Sequence, residues 1–598
     1  MEAKKWYEQE LRKAEKEKSH ALNLKRISSW LRLIVFLGGL VSIYFFAAAK
    51  NPGWVLFTAV LTVILFLFLL RWFSVLRQRS DYFTTRVSIL TRELSALTGD
   101  YSGFDGAADL RAEAHEYAED IDLFGDESVF QLLNRTSTVG GREQLCDWCL
   151  KPEINAENLR LRQEAVAELK EMPEFRVLME TFGSIAAMKH SDLKKLTDWI
   201  QLPPLFQKRF FKILPVIISL LSLTGIALII SGIISFTWFL LYLALGPWMI
   251  TGFYLRKINH RHNYLSRSAD LFSRYAKLFE LLDETEMKNE YLRKLKTRAG
   301  EKKRATEAVR KLGRITASLD TRLNMLMGFI LNGLFLWDII QLVRLEHWQK
   351  LYGQDIRQWF DTVAEFDALC SLSGFAYNFD DFVFPQLGDD TEDGLKIVDA
   401  GHPLIPAKER VGNDFSLNDS GQFVIITGAN MAGKSTFLRT VAVNMMLAMA
   451  GTVVCAEKMV FMPVQLITSL RTTDNLVRNE SYFFAELKRL KWIIDRLNSG
   501  EKLFIILDEI LKGTNSKDKQ QGSKALIEQF VRLNATGIIA THDIILGTLA
   551  KSYPDKVMNR CFEVSLKKNT LVFDYKLREG ISQNMNATFL MKQMGITL

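Results

Sequence analysis

Two uncharged, mostly apolar runs of 17 residues each, Leu33–Ala49 and Trp54–Leu70, lie near the start of the chain, separated only by Lys50-Asn51-Pro52-Gly53. Each is at the short end of the ~17–25 residues a helix needs to cross a bilayer. Arg32 and Arg71 can snorkel at their outer ends, and the separator is a turn signal. Ile213–Leu255 adds 43 uncharged residues, enough for two crossings with a turn near Ser231–Ser235. The pattern predicts two helical hairpins and four spans; the competing reading is buried core helices of a soluble protein. Trp30, Trp54, Trp72 and Trp248 fit interfacial positions. A fifth run, Leu323–Trp337, has only 15 residues before Asp338 and is expected to be buried core.

Toward the C-terminus the apolar runs become shorter and end in chemistry. Phe423–Ile426 leads directly into Gly428-Ala429-Asn430-Met431-Ala432-Gly433-Lys434-Ser435-Thr436, a G-x-x-x-x-G-K-S pattern. Strand, glycine loop and helix in that order form a phosphate cradle. Gly428 and Gly433 let backbone N–H groups turn inward, Lys434 reaches the β/γ-phosphates, and the Ser435 hydroxyl can ligate Mg²⁺. The helix opening at Ser435 adds its positive end. Leu503–Glu509, LFIILDE, reads as a buried parallel strand ending in two carboxylates. Asp508 is placed for the Mg²⁺ shell and Glu509 to orient or deprotonate water. Gly537–His542, GIIATH, ends a third strand in a histidine that can sense the γ-phosphate.

These residues resemble the MutS family of DNA mismatch-repair ATPases, a branch of the ABC-type ATPases. The family loop TGPNMGGKST corresponds to TGANMAGKST at Thr427–Thr436, DEIGRGTS to DEILKGTNS at Asp508–Ser516, and ATH to Ala540–His542. Its signature G-x-S-T-F-M-x-E is approximated by Asn479–Glu486, with Ser481 in the serine position; the transporter signature LSGGQ is absent. Ala429 and Ala432 replace a proline and a glycine, and Leu511-Lys512 replace Gly-Arg. Upstream, Asp122–Arg142, Leu161–Leu169, Glu365–Leu372 and Ala400–Pro403 resemble the family's helical core and the segment before its nucleotide domain.

The resemblance implies a C-terminal α/β P-loop NTPase of ABC/MutS type and an all-α core and lever domain; with the four transmembrane helices in two hairpins read from the apolar runs, the chain is multidomain. The resemblance implies ATP and Mg²⁺ as cofactors. It also implies a homodimer through the ATPase domains, in which Ser481 of one copy reaches the γ-phosphate bound by the other. The expected divisions are a basic arm at 1–28, hairpin one at 29–73 and a linker helix region at 74–119. Core then follows at 120–209, hairpin two at 210–256, lever and core at 257–385, and the ATPase at 386–598.

Charge orients the spans. Lys4, Lys5, Arg12, Lys13, Lys16, Lys18, Lys25 and Arg26 precede the first hairpin, and Arg71, Arg77 and Arg79 follow it. Lys208, Arg209 and Lys212 precede the second, and Arg256, Lys257 and Arg261 follow, whereas the turns carry only Lys50. The positive-inside rule puts both termini and the ATPase in the cytoplasm of a multi-pass inner-membrane protein. About thirty charged residues precede the first run, so no cleavable signal is expected. The first 28 residues read as an amphipathic or partly disordered arm.

The net charge of +8 is modest for 598 residues and is no argument for nucleic acid. Arg293–Arg314 is sharper: Arg293, Lys294, Lys296, Arg298, Lys302, Lys303, Arg304, Arg310, Lys311 and Arg314 face only Glu301 and Glu307. DNA phosphate contact, a solvated helix face and anionic lipid are the three readings. Cys146 and Cys149 form a C-x-x-C with no second pair, which reads as buried core rather than zinc. Mismatch readers use a Phe-x-Glu wedge; here the string occurs only at Phe484–Glu486, inside the signature, so wedge reading is not expected. Two functions remain open: a membrane-anchored MutS-like ATPase that binds mismatched or branched DNA, or an ATP-driven switch acting on the bilayer or unknown protein partners.

Overall fold

The computed structural model describes residues 2–110, 115–186, 188–266, 268–300, 304–388, 394–417, 421–429, 431–471, 482–511, 514–567 and 570–582. The chain forms two compact units. One gathers residues 1–94, 136–142 and 174–367; the other gathers 95–135, 143–173 and 368–598. The expected division at 385/386 is therefore replaced by an interleaved one. The reason lies within the second unit. The Asp120 carboxylate accepts from the N–H of Leu470 (3.0 Å) and Arg471 (2.8 Å), and Thr468 N donates to Glu116 O at 3.0 Å. These bonds strap the segment around residue 120 to the edge of the C-terminal sheet.

The first unit is helical. It opens with two antiparallel helices, Glu2–Ala48 and Pro52–Ala96, far longer than the apolar runs inside them. Residues 2–28 are thus not a separate arm. Tyr7, Ala14, Ala21 and Ser28 are buried at seven-residue spacing, the repeat of a coiled-coil seam. Cross-helix pairs run along the whole hairpin: Glu17 with Arg79 (2.7 Å), Arg32 over the Phe73 ring (3.8 Å), and Phe36 against Phe66. Arg86, almost buried, bonds Glu10 (2.8 Å) and Glu174 (2.7 Å), fixing the hairpin to the helix Pro173–Ala186.

The second apolar stretch folds into Arg209–Ile230 and Phe236–Leu265, the latter carrying a π turn at Ala244–Trp248 where Pro247 lacks its N–H. Tyr242 donates to Ile218 O at 3.2 Å, and Gly225 lets the Phe239 ring approach. Among the described residues, four helices of this unit are long and apolar enough to cross a membrane, and their apolar windows are only 6–17% buried. The fifth run departs from expectation. Met325–Phe335 is no core helix: Met325, Leu326, Met327, Phe329 and Ile330 are all exposed.

The second unit carries ten strands among its described residues. They are β1 (Gln386–Leu387), β2 (Lys396–Ala400), β3 (Asn413–Ser416), β4 (Phe423–Gly428) and β5 (Lys458–Phe461), then β6 (Gln465–Ser469), β7 (Leu503–Asp508), β8 (Thr536–Thr541), β9 (Val557–Lys567) and β10 (Thr570–Glu579). A small mixed sheet has the order β1-β5-β2-β3. The larger has the order β10-β9-β4-β8-β7-β6, parallel except for the β9–β10 hairpin. Its central strands are continuous apolar runs, as strands covered on both faces must be. The helix Lys434–Ala450 is buried nearly all round, with Leu438, Val441, Met445 and Met449 in the core.

Candidate functional site

Sheet register brings the motifs together. Thr427 of β4 pairs with Thr541 of β8, and Asp508 of β7 with Ala540 of β8. The carboxyl ends of three adjacent parallel strands therefore open side by side, the usual ligand edge of such sheets. Here Gly428 and Gly433 are required residues. A Cβ on Gly428 would lie 2.8 Å from Phe562 O, and Gly433 has φ +104°, a left-handed conformation that side chains resist. Ala432 is buried, while Met431, Ser435 and Thr436 are exposed at the mouth of the loop and Ala429 begins it.

Lys434 is buried and curls back on its own loop. Its Nζ donates to Gly428 O (2.8 Å) and Ala429 O (2.9 Å) and lies 3.3 Å from His542 Nδ1. Ser435 Oγ donates to Asp508 Oδ2 at 2.5 Å, so the two expected Mg²⁺ ligands already meet. His542 Nε2 meets Glu509 Oε1, and His542 Nδ1 lies 3.0 Å from Gly428 O. Glu509 has φ +49°, an uncommon backbone for a side-chain-bearing residue, and its N–H is held by Ala540 O at 2.9 Å. Lys434, Ser435, Asp508, Glu509 and His542 thus converge as the sequence predicts. Asn430 and Ser481 lie outside the described residues.

Other groups add to these, one from the end of the signature segment in a role the motif does not disclose and the rest from unmarked positions. Glu486, 4% exposed on the helix Tyr482–Asn498, accepts the N–H of Leu511 at 2.6 Å and so fixes the turn after Glu509. A cavity of about 390 Å³ adjoins the loop, lined by His402, Arg410, Asn413, Phe562 and Tyr575 beside Lys434 and Ser435. That volume falls within the ~300–1,000 Å³ of small-molecule sites. His402 is pushed down to about 4 by burial and, secondarily, by the Arg439 guanidinium, so it stays neutral. The only sequence trace of this wall was the Ala400–Pro403 segment. Its other members are far apart in the chain.

The donor set suits a polyphosphate with a divalent ion: a glycine-backed loop, an ammonium, a hydroxyl–carboxylate pair, and a second carboxylate beside an imidazole. Two family models match, described as MutS domain III over residues 115–373 and MutS domain V over residues 424–593. The chain belongs to the MutS family. It is 33% identical over 236 residues to "MutS protein homolog 4" of Homo sapiens, covering 38% of this chain and 24% of that protein. It is 30% identical over 253 residues to "DNA mismatch repair protein MutS" of Thermotoga sp. (strain RQ2), covering 41% and 31%. Against "DNA mismatch repair protein MSH3" of Candida glabrata it is 30% identical over 257 residues, covering 41% and 24%. The matches thus span a quarter to a third of these relatives.

The other singled-out segments give clear placements. Cys146 and Cys149 are buried, and burial pushes the Cys149 thiol up. In the basic segment Lys302 and Lys303 lie outside the described residues, and much of the remainder is engaged nearby. Arg298 pairs with Glu365 (3.1 Å), Arg304 with Asp355 (2.7 Å) and Arg310 with Glu280 (3.0 Å), while Lys296 donates to Thr285 O at 2.9 Å. Arg293, Lys311 and Arg314 are exposed.

Proposed function

We propose that this chain is a membrane-anchored ATPase that binds and hydrolyses ATP with Mg²⁺ and couples that cycle to DNA. The observation that carries the enzymatic part is the convergence of Lys434, the Ser435–Asp508 pair and the Glu509–His542 pair beside one cavity. Lys434 exchanges its loop carbonyls for β/γ-phosphate oxygens. Ser435 and Asp508 would hold Mg²⁺, which when bound neutralises phosphate charge. Glu509 orients the attacking water or accepts its proton, and His542 steadies that carboxylate. Glu486 keeps the following turn in register. The cavity wall around His402, Phe562 and Tyr575 receives the nucleoside. A second copy completes the site through Ser481.

Four exposed apolar helices and the charge pattern at their ends support the membrane part, with the termini on the cytoplasmic side of the inner membrane. Asn51→Cys is expected to react with an impermeant thiol reagent from outside. Gln78→Cys, on an exposed position, is expected to react only after permeabilisation; labelling of Gln78→Cys in intact cells contradicts this orientation. DNA as partner is drawn from relatives named mismatch repair proteins. The ion pairs within Arg293–Arg314 favour the second reading, an ATP-driven switch on membrane or protein partners, because paired guanidinium groups are poorer phosphate ligands. Titration of the purified chain with duplex and branched DNA at increasing salt separates the two. Steep loss of affinity with salt supports DNA. Absence of binding at low salt leaves the switch.

A further inference from the structure

Between the basic helix Arg304–Asp320 and the helix Trp337–Tyr352 the chain makes an excursion, Met325–Phe335, that no motif accounts for. Eleven residues make a helix of ~16 Å, about half the ~30 Å hydrocarbon thickness of a bilayer. A run this short is a core helix, an interfacial helix or a re-entrant one. Exposure rules out the first: Met325 is 89% exposed, Leu326 68% and Phe329 54%. Composition rules out the second, since an interfacial helix keeps a charged face. The sole polar side chain within Met325–Phe335 is Asn332, and it is buried.

A chain reversing inside hydrocarbon needs partners for the backbone groups its break frees, and Asn332 supplies some of them. The helix ends at Leu336, whose φ of +52° turns the chain through 82° into the next helix. At that break the Asn332 Oδ1 accepts the N–H of Asp338 (3.0 Å), its Nδ2 donates to Gly328 O (2.9 Å), and the Leu336 N–H reaches Asn332 O (3.1 Å). Asn324 caps the other end by accepting the Met327 N–H at 3.2 Å. The helix is also continuous with the second apolar hairpin. The Trp248 ring lies against that of Phe329, tilted by 30° with centroids 3.8 Å apart, and its indole N–H donates to Phe329 O at 3.1 Å and packs against Gly333.

We infer that Met325–Phe335 is a re-entrant helix immersed in the lipid of one leaflet, packed along the second hairpin. This rests on the membrane-anchored reading above. Its roots are held by charged groups that stay with the protein: Arg322, partly buried, lies 3.4 Å from Asp338 and bonds Asn259 at 2.6 Å. The following helix ties the excursion to the hairpin's base, because the buried Glu346 carboxylate accepts the N–H groups of Leu205 and Phe206 at 2.8 Å each. Half-helix, break and hairpin therefore form one lipid-embedded assembly.

The test uses the full chain in phosphatidylcholine–phosphatidylglycerol vesicles, with single spin-labelled cysteines at Phe329, Leu326, Leu220 and Lys311. Collision with oxygen, which concentrates in lipid, is compared with collision with a water-soluble nickel chelate. The expected result is an oxygen-to-nickel ratio at Phe329 and Leu326 matching Leu220 and several-fold above Lys311. If Phe329 and Leu326 match Lys311 while Leu220 stays lipid-like, the re-entrant helix is overturned and the anchoring stands. If Leu220 also matches Lys311, the anchoring itself fails and the inference fails with it.

Discussion

The carboxyl edge of the large sheet and the apolar helices of the helical unit use side chains in opposite ways. At the sheet edge the polar side chains have particular partners. Lys434 sits on two named carbonyls, Ser435 on Asp508, Glu509 beside His542, and Glu486 on one N–H. Along the hairpins most positions are exposed apolar residues whose identity matters little beyond hydrophobicity, such as Leu220, Leu221 and Leu223. Specific polar points are Tyr242 in the second hairpin and, on the helices beside it, Asn332 and Glu346. One region is specified by identity at single positions, the other by composition over a length. Substitutions should therefore separate them sharply.

The largest contrast is expected inside the hairpin, between charge and shape. Leu220→Arg should cost about 3 kcal/mol of insertion free energy if the position faces lipid. Leu220→Ile should cost less than about 1.5 kcal/mol. Membrane-insertion yield measures both, and equal yields would remove the hairpin from the bilayer. At the sheet edge, Lys434→Ala removes one charged phosphate partner. The expected loss is about 2 kcal/mol, or roughly thirty-fold in nucleotide affinity, read with a fluorescent ATP analogue. A conservative Lys434→Met should lose as much, since charge and not bulk is needed there.

Glu346 brings single-position specificity to the helical unit. Glu346→Ala leaves the buried N–H of Phe206 and the part-buried N–H of Leu205 without their acceptor, an expected loss of about 2 kcal/mol in unfolding free energy. Glu346→Gln, which keeps one acceptor oxygen, should lose less. The smallest effect belongs to His402. Its folded value is depressed, from 6.5 to about 4, so its contribution is present above pH 6.5 and is lost as pH falls toward 4. Between about pH 7.5 and 5.5 it accounts for about 1 kcal/mol of lost stability. His402→Gln should flatten that part of the thermal-unfolding profile, and an unchanged profile would show the imidazole to be solvated.

What the sequence disclosed follows the same divide. The loop was legible because Gly433 holds a left-handed backbone, because Lys434 and Ser435 open the helix directly after the glycine loop, and because Asp508, Glu509 and His542 end recognisable apolar runs. Glu486 escaped as a positioning group because its partner, Leu511, lies 25 residues away and no spacing rule links them. The two hairpins were legible from composition alone. Leu323–Trp337, at 15 residues short for a span, was assigned to the core on its length, and length does not register that Met325, Leu326 and Phe329 are exposed. In residues 2–28 three of the four seam residues, Ala14, Ala21 and Ser28, are small, and their weak hydrophobic signal was outweighed by the surrounding lysines and glutamates.

The most direct test of the central claim is ATP turnover by the full chain in vesicles, with and without Glu509→Gln, alongside nucleotide binding. Glu509→Gln preserves size and the contact with His542 but cannot take a proton. The account predicts unchanged ATP binding and turnover reduced about 10²–10⁴-fold. Hydrolysis by Glu509→Gln at the unmodified rate would contradict it.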